Sequence, residues 1–307
     1  MALRSGEVLL LGGAENAEIV AVQMALEALD APFRVVDLPD FPEKVHLSHG
    51  MSGWSIDGKS LEGVRSIYVR ALGLHPLMPG SAVHLAERPT GWIAQCDEKR
   101  ALVESFLLEQ QAAGVPLFNA PEVNAQHHRK PYQLHLLATA GLPVPAWLAT
   151  NDPDAVRDFL VESGQVIYKP LAGGALVQAL CEKDLTTGRL AALTLAPVLF
   201  QVYVAGASVR VYVVDGRVVA AGDILSSHLD YRAGDAEAVA TALSSEEEQL
   251  AVHATQVCGM GFSGVDLIRG EAGSVVLECN PSPMFAGFEA MTGADVAGPL
   301  AEALLRG

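Results

Sequence analysis

The feature that most constrains the fold is the segment GVDLIRGEAGSVVLECNPSP, at residues 264–283. Two largely apolar runs are joined by a turn at Gly270–Gly273, which predicts an antiparallel pair of strands. In that pair Asp266 lies opposite the strand that holds Glu278. Glu278 and Asn280 are two residues apart, so both side chains leave the same face of the strand, while the residue between them faces the core.

Asp266, Glu278 and Asn280 together offer hard oxygen ligands on one surface. Such a set suits Mg²⁺, which is usually held by one or two carboxylates together with substrate phosphates. Mn²⁺ is an alternative ion for the same ligands. The competing interpretation is three solvated polar side chains on an exposed strand face. Because VVLE otherwise has the pattern of a core strand, we favour the metal site.

The N-terminal part of the chain predicts an α/β domain. EVLLLGG is a short apolar strand, residues 15–29 carry apolar positions at helical spacing, and FRVVDL is a second strand. This strand–helix–strand order is typical of a parallel sheet. A hairpin at Asp57–Gly58, the strand SIYVR and a long helix over 92–113 follow. We place this domain at residues 1–120.

The remainder predicts an α+β region in two lobes. A helix from about residue 131 to Gly141, with the strands AWLAT and QVIYK, indicates a small central lobe over 121–197. Longer strands then follow, with a hairpin at Asp215–Gly216 and a helix for which Ser245 is a plausible cap. These elements predict a C-terminal lobe built on an antiparallel sheet over 198–307.

Composition limits the partners. Hydrophobic residues make up 50% of the 307 residues and the formal net charge is −16, so we expect a folded protein that repels nucleic acid and anionic membrane surfaces. The N-terminal apolar run is too short for a signal peptide, and no apolar run is long enough for a transmembrane helix. The four scattered cysteines indicate reduced thiols, and we predict a cytoplasmic protein.

Two lysines and a glycine pair form a candidate phosphate site. Lys169 ends an apolar strand and is followed by the AGGA turn, whose Gly173 and Gly174 can present backbone N–H groups to phosphate oxygens. Lys130 precedes the first helix of the central lobe. Each lysine alone is also compatible with an ordinary surface charge.

Two arginines are candidate anion ligands. Arg210 lies in the apolar strand SVRVYVV, where an unpaired charge is costly unless it has a function. Arg232, in the segment DYR, is a second candidate, although a loop arginine is its simpler interpretation.

The order of these segments resembles the ATP-grasp superfamily, and within it the ligases related to ribosomal S6 glutamate ligase. The segments are, in chain order, Lys130, VIYKP, a glycine turn, FQVYV, SVRVYVV, DYR, GVDLI and LECNPSP. The resemblance covers about the last two-thirds of the chain and implies the ATP-grasp fold, with ATP bound between two lobes. It implies that the lysines contact phosphates, that the glycine loop closes over them and that the hinge backbone meets adenine. It implies metal binding by the oxygen ligands, and stabilisation of an acyl phosphate by the arginines. The implied set is Lys130, Lys169, Gly173, Gly174, Gln201, Val202, Tyr203, Val204, Arg210, Arg232, Asp266, Glu278 and Asn280.

The segments KPYQLHLLATAGLPVPAWLATNDPDAVRDFL and WSIDGKSLEGVRSIYVR resemble more closely the maturases of graspetides, which are microviridin-type peptides. This resemblance implies an ATP-dependent ligase that joins a carboxylate to an amine or hydroxyl through an acyl phosphate, with a precursor peptide as substrate. Ligases of this kind are often dimers or tetramers. One alternative is a small-molecule ligase acting on an amino acid or a glutathione-like substrate.

The chain departs from the family pattern in three places. AGGA is a minimal glycine loop, Val202 stands where the hinge often carries Glu, and Ser208 replaces an acidic residue before the strand of Arg210. These departures keep open a second alternative, a nucleotide-binding protein without catalytic activity.

Overall fold

The computed structural model describes residues 6–77, 81–234 and 236–307, and the chain divides into two units. Unit 1 comprises Met1–Glu122, Met284–Ala286 and Asp295–Gly307, and unit 2 comprises Val123–Pro283 and Gly287–Ala294. This division into two units does not test the predicted domain bounds 1–120, 121–197 and 198–307, which remain a prediction.

The strands are β1 Val8–Gly12, β2 Phe33–Asp37, β3 Leu47–Gly50, β4 Gly53–Ile56, β5 Lys59–Ser60, β6 Ser66–Val69, β7 Leu117–Phe118, β8 Trp147–Thr150, β9 Val166–Lys169, β10 Gln178–Ala179, β11 Val198–Val202, β12 Ala207–Val214, β13 Arg217–Leu225, β14 Glu237–Ala240, β15 Phe262–Gly270 and β16 Gly273–Asn280. The helices are α1 Ala17–Ala28, α2 Ala82–Glu87, α3 Pro89–Ala112, α4 Pro121–Asn124, α5 Lys130–Thr139, α6 Pro153–Ser163, α7 Thr187–Ala191, α8 Ser245–Val257, α9 Ala286–Thr292 and α10 Ala297–Arg306.

Unit 1 is built on a parallel sheet of order β2-β1-β6-β7, accompanied by a smaller sheet of order β3-β4-β5. The predicted parallel arrangement is therefore confirmed. Helix α1 begins after Asn16, whose side chain accepts from the backbone N–H groups of Glu18 and Ile19. Helix α10 returns to this unit, where Ser66 Oγ donates to the carbonyl oxygen of Leu304 at 2.7 Å.

Unit 2 contains two antiparallel sheets. The smaller has the order β10-β9-β11-β8 and the larger the order β14-β13-β12-β15-β16. Apolar residues of α5 and α8 cover one face of the larger sheet, where the buried Cys279 packs as predicted. The opposite face of that sheet carries Arg210, Asp266 and Glu278, and beside them the buried Tyr212, which packs against Phe288.

Helix ends in unit 2 follow local chemistry. Asp152 caps α6, because its side chain accepts a hydrogen bond from Asp154 N–H. The predicted cap of α8 is wrong by one residue. Ser244 is the cap, because its hydroxyl and the carboxylate of Glu247 satisfy each other's backbone N–H groups.

Helix length and hydropathy bear on the predicted absence of a transmembrane segment. Across the three described ranges, every helix is too short or too polar to cross a lipid bilayer.

Candidate active site

The larger sheet of unit 2 aligns the predicted metal ligands. Asp266 is the cross-strand partner of Glu278, and Gly264 is the partner of Asn280. Directly opposed residues of neighbouring strands project from the same face, so the two carboxylates and the amide share one surface. Strand β12 pairs with the other edge of β15, and its Arg210 lies directly opposite Asp266. The Arg210 side chain therefore projects from the same face.

The register of β15 and β16 shifts by one residue between Asp266 and Leu267. The shift makes Leu277 the extra residue on β16 and lets both Val276 and Cys279 face the apolar core, although they are three residues apart. The carboxylate of Glu278 is thereby kept on the polar face.

Arg210 holds Asp266 with a two-pronged ion pair. Arg210 Nε donates to Oδ1 at 2.6 Å and Nη2 donates to Oδ2 at 3.1 Å. Arg210 is 7% exposed. A Cβ on Gly264 would lie 3.0 Å from Arg210 Nη1 and 2.8 Å from Pro283 Cβ, so this glycine provides room for the guanidinium.

Glu278 is the meeting point of the two predicted lysines. Lys130 Nζ, from the first residue of α5, donates directly to Glu278 Oε2. Lys169 Nζ, from the end of β9 in the smaller sheet, lies 3.9 Å from the same oxygen. Lysines that are 39 positions apart in the sequence therefore converge on one carboxylate.

Burial and neighbouring charges shift the protonation equilibria of these groups in different directions. Burial opposes ionisation of Glu278, but attraction by Lys130 and Lys169 outweighs it and lowers the pKa of this carboxyl below its usual range. Burial raises the pKa of Asp266 against the opposing effect of Arg210, and repulsion by Glu278 adds to the rise. Burial lowers the pKa of Lys169, an effect that Glu278 opposes.

Helix α5 is joined to β16 by a buried glutamine that sequence reasoning missed. Gln133 Nε2 donates to the carbonyl oxygen of Cys279 at 2.8 Å, and Gln133 Oε1 accepts from Cys279 N–H at 2.9 Å. Gln133 is three positions after Lys130, so the same helix fixes both the lysine and the strand that carries the predicted metal ligands. Its only sequence signal is a polar residue on an otherwise apolar helix face.

The glycine loop between β9 and β10 is held from both sides. Gly173 and Gly174 have φ angles of +82° and +98°, which residues other than glycine rarely adopt. Before the glycines, His128 Nδ1 donates to the carbonyl oxygen of Ala172 at 2.8 Å. After them, Arg232 Nη2 donates to the carbonyl oxygen of Ala175 at 3.1 Å.

A second histidine near this loop also escaped sequence reasoning. His127 Nε2 would lie 3.9 Å from a Cβ on Gly173. Burial lowers the pKa of His127, and the charge of Lys130 adds to the effect. A neutral imidazole therefore stands beside the predicted phosphate loop at neutral pH.

The predicted hinge lies at the end of β11. Gln201 pairs with Ile167 and Leu199 pairs with Lys169, so the side chain of Gln201 leaves the same sheet face as Lys169. The N–H groups of Val202 and Tyr203 donate to the carbonyl oxygens of Ala146 and Gln165. A bound base therefore has to use other groups of the segment, such as the N–H of Val204.

The donor set fits a magnesium ion. In the described parts of the chain, no group of three or more His, Cys, Asp and Glu side chains is placed to hold a metal. Asp266, Glu278 and Asn280 instead supply two carboxylates and one amide oxygen from one face. Mg²⁺ is commonly held by so few protein ligands, because water and substrate phosphates complete its octahedron.

The surrounding residues also fit a nucleotide. Gln201 is fully buried, and neither atom of its amide has a hydrogen-bond partner among the described residues. Buried amides are rarely left unpaired in this way unless a water or ligand satisfies them. Lys130, Lys169 and Arg210 outnumber the two carboxylates they touch, which leaves a local positive charge for an anion in an otherwise acidic protein.

The structure thus brings five of the predicted residues into direct or close contact. Arg232 contacts the glycine loop and lies near enough to contribute to the lowered pKa of Lys169. Tyr203 has a side chain that is 40% exposed. The five in contact are Lys130, Lys169, Arg210, Asp266 and Glu278.

Comparison with known proteins places this geometry in a family. The RimK-like ATP-grasp domain matches residues 128–304. A probable alpha-L-glutamate ligase of Teredinibacter turnerae is 32% identical, over 64% of this chain and 70% of that protein. A probable alpha-L-glutamate ligase of Methanococcoides burtonii is 30% identical, also over 64% of this chain and 70% of that protein.

Solved structures extend the similarity to the whole chain. The ATP-grasp ligase PsnB, complexed with a phosphomimetic variant of minimal precursor, Mg and ADP, is 35% identical with a TM-score of 0.90, over 99% of both chains. The macrocyclase MdnC of Microcystis aeruginosa, bound with precursor peptide MdnA, shares the fold at 20% identity, with a TM-score of 0.82 over 98% of this chain and 100% of that one.

These matches confirm the predicted fold class and the resemblance to both ribosomal S6 glutamate ligase and the graspetide maturases. The chain belongs to the family of RimK-like ATP-grasp ligases.

Proposed function

We propose that this protein is an ATP-dependent, Mg²⁺-requiring ligase that phosphorylates a carboxylate of a peptide and joins it to an amine or hydroxyl. The observation that carries the proposal is the convergence of Lys130, Lys169 and Arg210 on the adjacent carboxylates Asp266 and Glu278. This arrangement is suited to phosphoryl transfer, where catalysis depends mainly on positioning and on stabilisation of developing charge.

The positions of the site residues suggest a separate role in ATP binding and catalysis for each group. The lysines bind phosphate oxygens, and the glycine loop covers them with backbone N–H groups. The buried amide of Gln201 and the backbone around it receive the base. Bound Mg²⁺ would neutralise phosphate charge, held by Asp266, Glu278 and Asn280. The predicted assignments are Lys130, Lys169, Gly173 and Gly174 for phosphate, Gln201, Val202, Tyr203 and Val204 for the base, and Arg210 and Arg232 for the reacting acyl phosphate.

The reaction follows from these roles. A carboxylate oxygen of the substrate attacks the γ-phosphorus of ATP and ADP leaves. Arg210 is buried and fixed by two hydrogen bonds, so its charge needs little reorganisation when the acyl phosphate forms. An amine or hydroxyl then attacks the acyl carbon, inorganic phosphate leaves and one proton is released.

Similarity over the whole chain favours a peptide over a small molecule as substrate. The ligase PsnB, solved with a variant of its minimal precursor, is 35% identical over 99% of the chain, whereas two probable glutamate ligases match at 32% over 64% of it and at 28% over 92%. ATP, Mg²⁺ and reduced thiols are all supplied by the cytoplasm, where we place the protein. A small-molecule ligase and a nucleotide-binding protein without turnover remain the competing hypotheses.

The test is ADP release with Mg²⁺ present, with and without peptides whose cores carry acidic residues together with Lys, Ser or Thr. We expect ADP formation to need the peptide, and mass spectrometry to show loss of one water for each bond made. A reaction with free amino acids alone would favour the small-molecule ligase. Nucleotide binding without any carboxylate-dependent ADP would favour the non-catalytic protein.

Matched variants test the site itself. Asp266→Asn and Glu278→Gln should each lower ADP formation by about 100-fold or more, because each removes a charged ligand from the reacting centre. Glu271→Gln is the control, since Glu271 is an exposed carboxylate on the turn of the same hairpin. Equal activity in all three variants would refute the metal assignment.

A further inference from the structure

A buried carboxylate beside the glycine loop has no role in the assignments above. Asp230 is 6% exposed and accepts four hydrogen bonds. Burial opposes its ionisation, but the bonds from Arg232 and from Val177 N–H outweigh burial and lower its pKa to about 2. The side chain is therefore charged at neutral pH.

Asp230 connects the glycine loop to Arg232. Its Oδ2 accepts from Val177 N–H at 2.9 Å and from Arg232 Nη2 at 2.6 Å. Its Oδ1 accepts from Arg232 Nε at 2.9 Å and from the Arg232 backbone N–H at 3.0 Å. The same Arg232 Nη2 donates to the carbonyl oxygen of Ala175, which closes a ring of contacts around the second half of the loop.

The other half of the loop is fixed independently. Because His128 binds the carbonyl oxygen of Ala172, the two glycines lie between one anchor on the side of α5 and another on the segment after β13. The second anchor consists of Asp230 and the arginine that it orients.

We propose that Asp230 is a positioning residue that holds the guanidinium of Arg232 and the glycine loop as one unit, so that covering the phosphates of ATP and presenting Arg232 to the acyl phosphate occur together. This inference rests on the proposed ligase function. It adds a residue for which neither the comparisons nor the sequence pattern gives a role.

An amide cannot replace this carboxylate. In Asp230→Asn, one of the two oxygens becomes an NH₂ group that faces two donors, whichever way the amide is turned. Two of the four hydrogen bonds are therefore lost in either orientation. Charge-assisted bonds are the stronger kind, so the loss acts on both Arg232 and the loop.

Asp184 provides a matched control in the same lobe as the loop. It is also 6% exposed, and it accepts from Cys181 N–H at 3.2 Å and from Cys181 Sγ at 3.0 Å, with Arg189 Nε at 3.5 Å. None of these partners belongs to the glycine loop. Asp184→Asn therefore removes a buried, hydrogen-bonded charge without touching the proposed unit.

The experiment measures kcat and KM for ATP in peptide-dependent ADP release, together with thermal stability. We expect Asp230→Asn to lower kcat and raise KM, with kcat/KM reduced by about tenfold or more, while Asp184→Asn stays within about twofold. In a cycle with Arg232→Met, the double variant should be no worse than Arg232→Met alone. Effects that multiply would show that Asp230 does not act through Arg232.

A structural role alone would lower stability in both Asp variants and leave kcat and KM unchanged, which would overturn the proposal. Amide hydrogen exchange over residues 172–177, with and without a non-hydrolysable ATP analogue, separates this inference from the proposed function. Faster exchange and weaker analogue binding in Asp230→Asn, but not in Asp184→Asn, would support the anchor even if no peptide is turned over. Unchanged exchange and binding would refute it.

Discussion

Replacing Glu247 with glutamine should measurably destabilise unit 2. Glu247 lies in the first turn of α8 and receives hydrogen bonds from Ser244 N–H at 2.9 Å, from Ser274 Oγ at 3.0 Å and from Arg269 Nε at 2.6 Å. Arg269 in turn donates to Asp223 at 2.7 Å. One carboxylate therefore joins the start of a helix to β15 and β16, and Arg269 extends the network to β13.

The magnitude follows from the pKa of this group. The bond from Arg269 is the main cause that lowers the pKa of Glu247 from 4.5 to about 2. Such a difference between the unfolded and folded chain corresponds to about 3 kcal/mol at neutral pH. Because the side chain of Arg269 is 26% exposed, solvent screening reduces this value, and we expect a loss of about 2 kcal/mol.

The pH dependence gives the prediction its sign. The folded pKa lies below the unfolded one, so the stabilisation is complete above about pH 4.5 and is lost as the pH falls towards about 2. The assay is urea-induced unfolding, with amide exchange of α8 and β16 to report on unit 2. The difference between the native protein and Glu247→Gln should be constant near neutral pH and smaller at about pH 3.5.

Glu248→Gln is the control, because it removes the same charge from the same helical turn at an exposed position. It should cost no more than about 0.5 kcal/mol. An equal loss in the two variants would mean that the helix dipole, rather than the buried network, sets the effect. A loss for Glu247→Gln that does not change with pH would refute the reasoning from its pKa.

Three further outcomes follow from the site. Gln133→Leu leaves the buried N–H and C=O of Cys279 without their partner, so urea unfolding should show a loss of about 2 to 4 kcal/mol, and an unchanged midpoint would contradict this. Gly264→Ala places a methyl 3.0 Å from Arg210 Nη1, so ADP release should fall by about tenfold or more while ATP still binds in calorimetry. Chelation of Mg²⁺ should abolish ADP release, and added Mg²⁺ should restore it; release that survives chelation would exclude the metal from the reaction.

Much of the candidate site could be predicted from the sequence, because local residue patterns indicate from which face of a strand or helix a side chain projects. The spacing of Glu278 and Asn280 placed both on one face and sent Cys279 into the core, as the structure has them. Lys169 was recognisable as a charge at the end of an apolar strand. The family resemblance supplied the order in which such pieces belong together.

The tertiary structure alone decided which of these pieces meet. Lys130 and Glu278 are separated by 148 positions, and nothing local to either residue encodes their pairing. The hydrogen bonds between Gln133 and Cys279, and between Asp230 and Val177, likewise join groups that are distant along the chain.

The physical reason is the range of the interactions. Alternation along a strand, caps and turn residues act over a few positions, so the sequence by itself determined the elements and the chemistry each can offer. Register shifts, buried ion pairs and hydrogen bonds between elements depend on how whole sheets and helices pack. These contacts decided which candidates form one site in this protein.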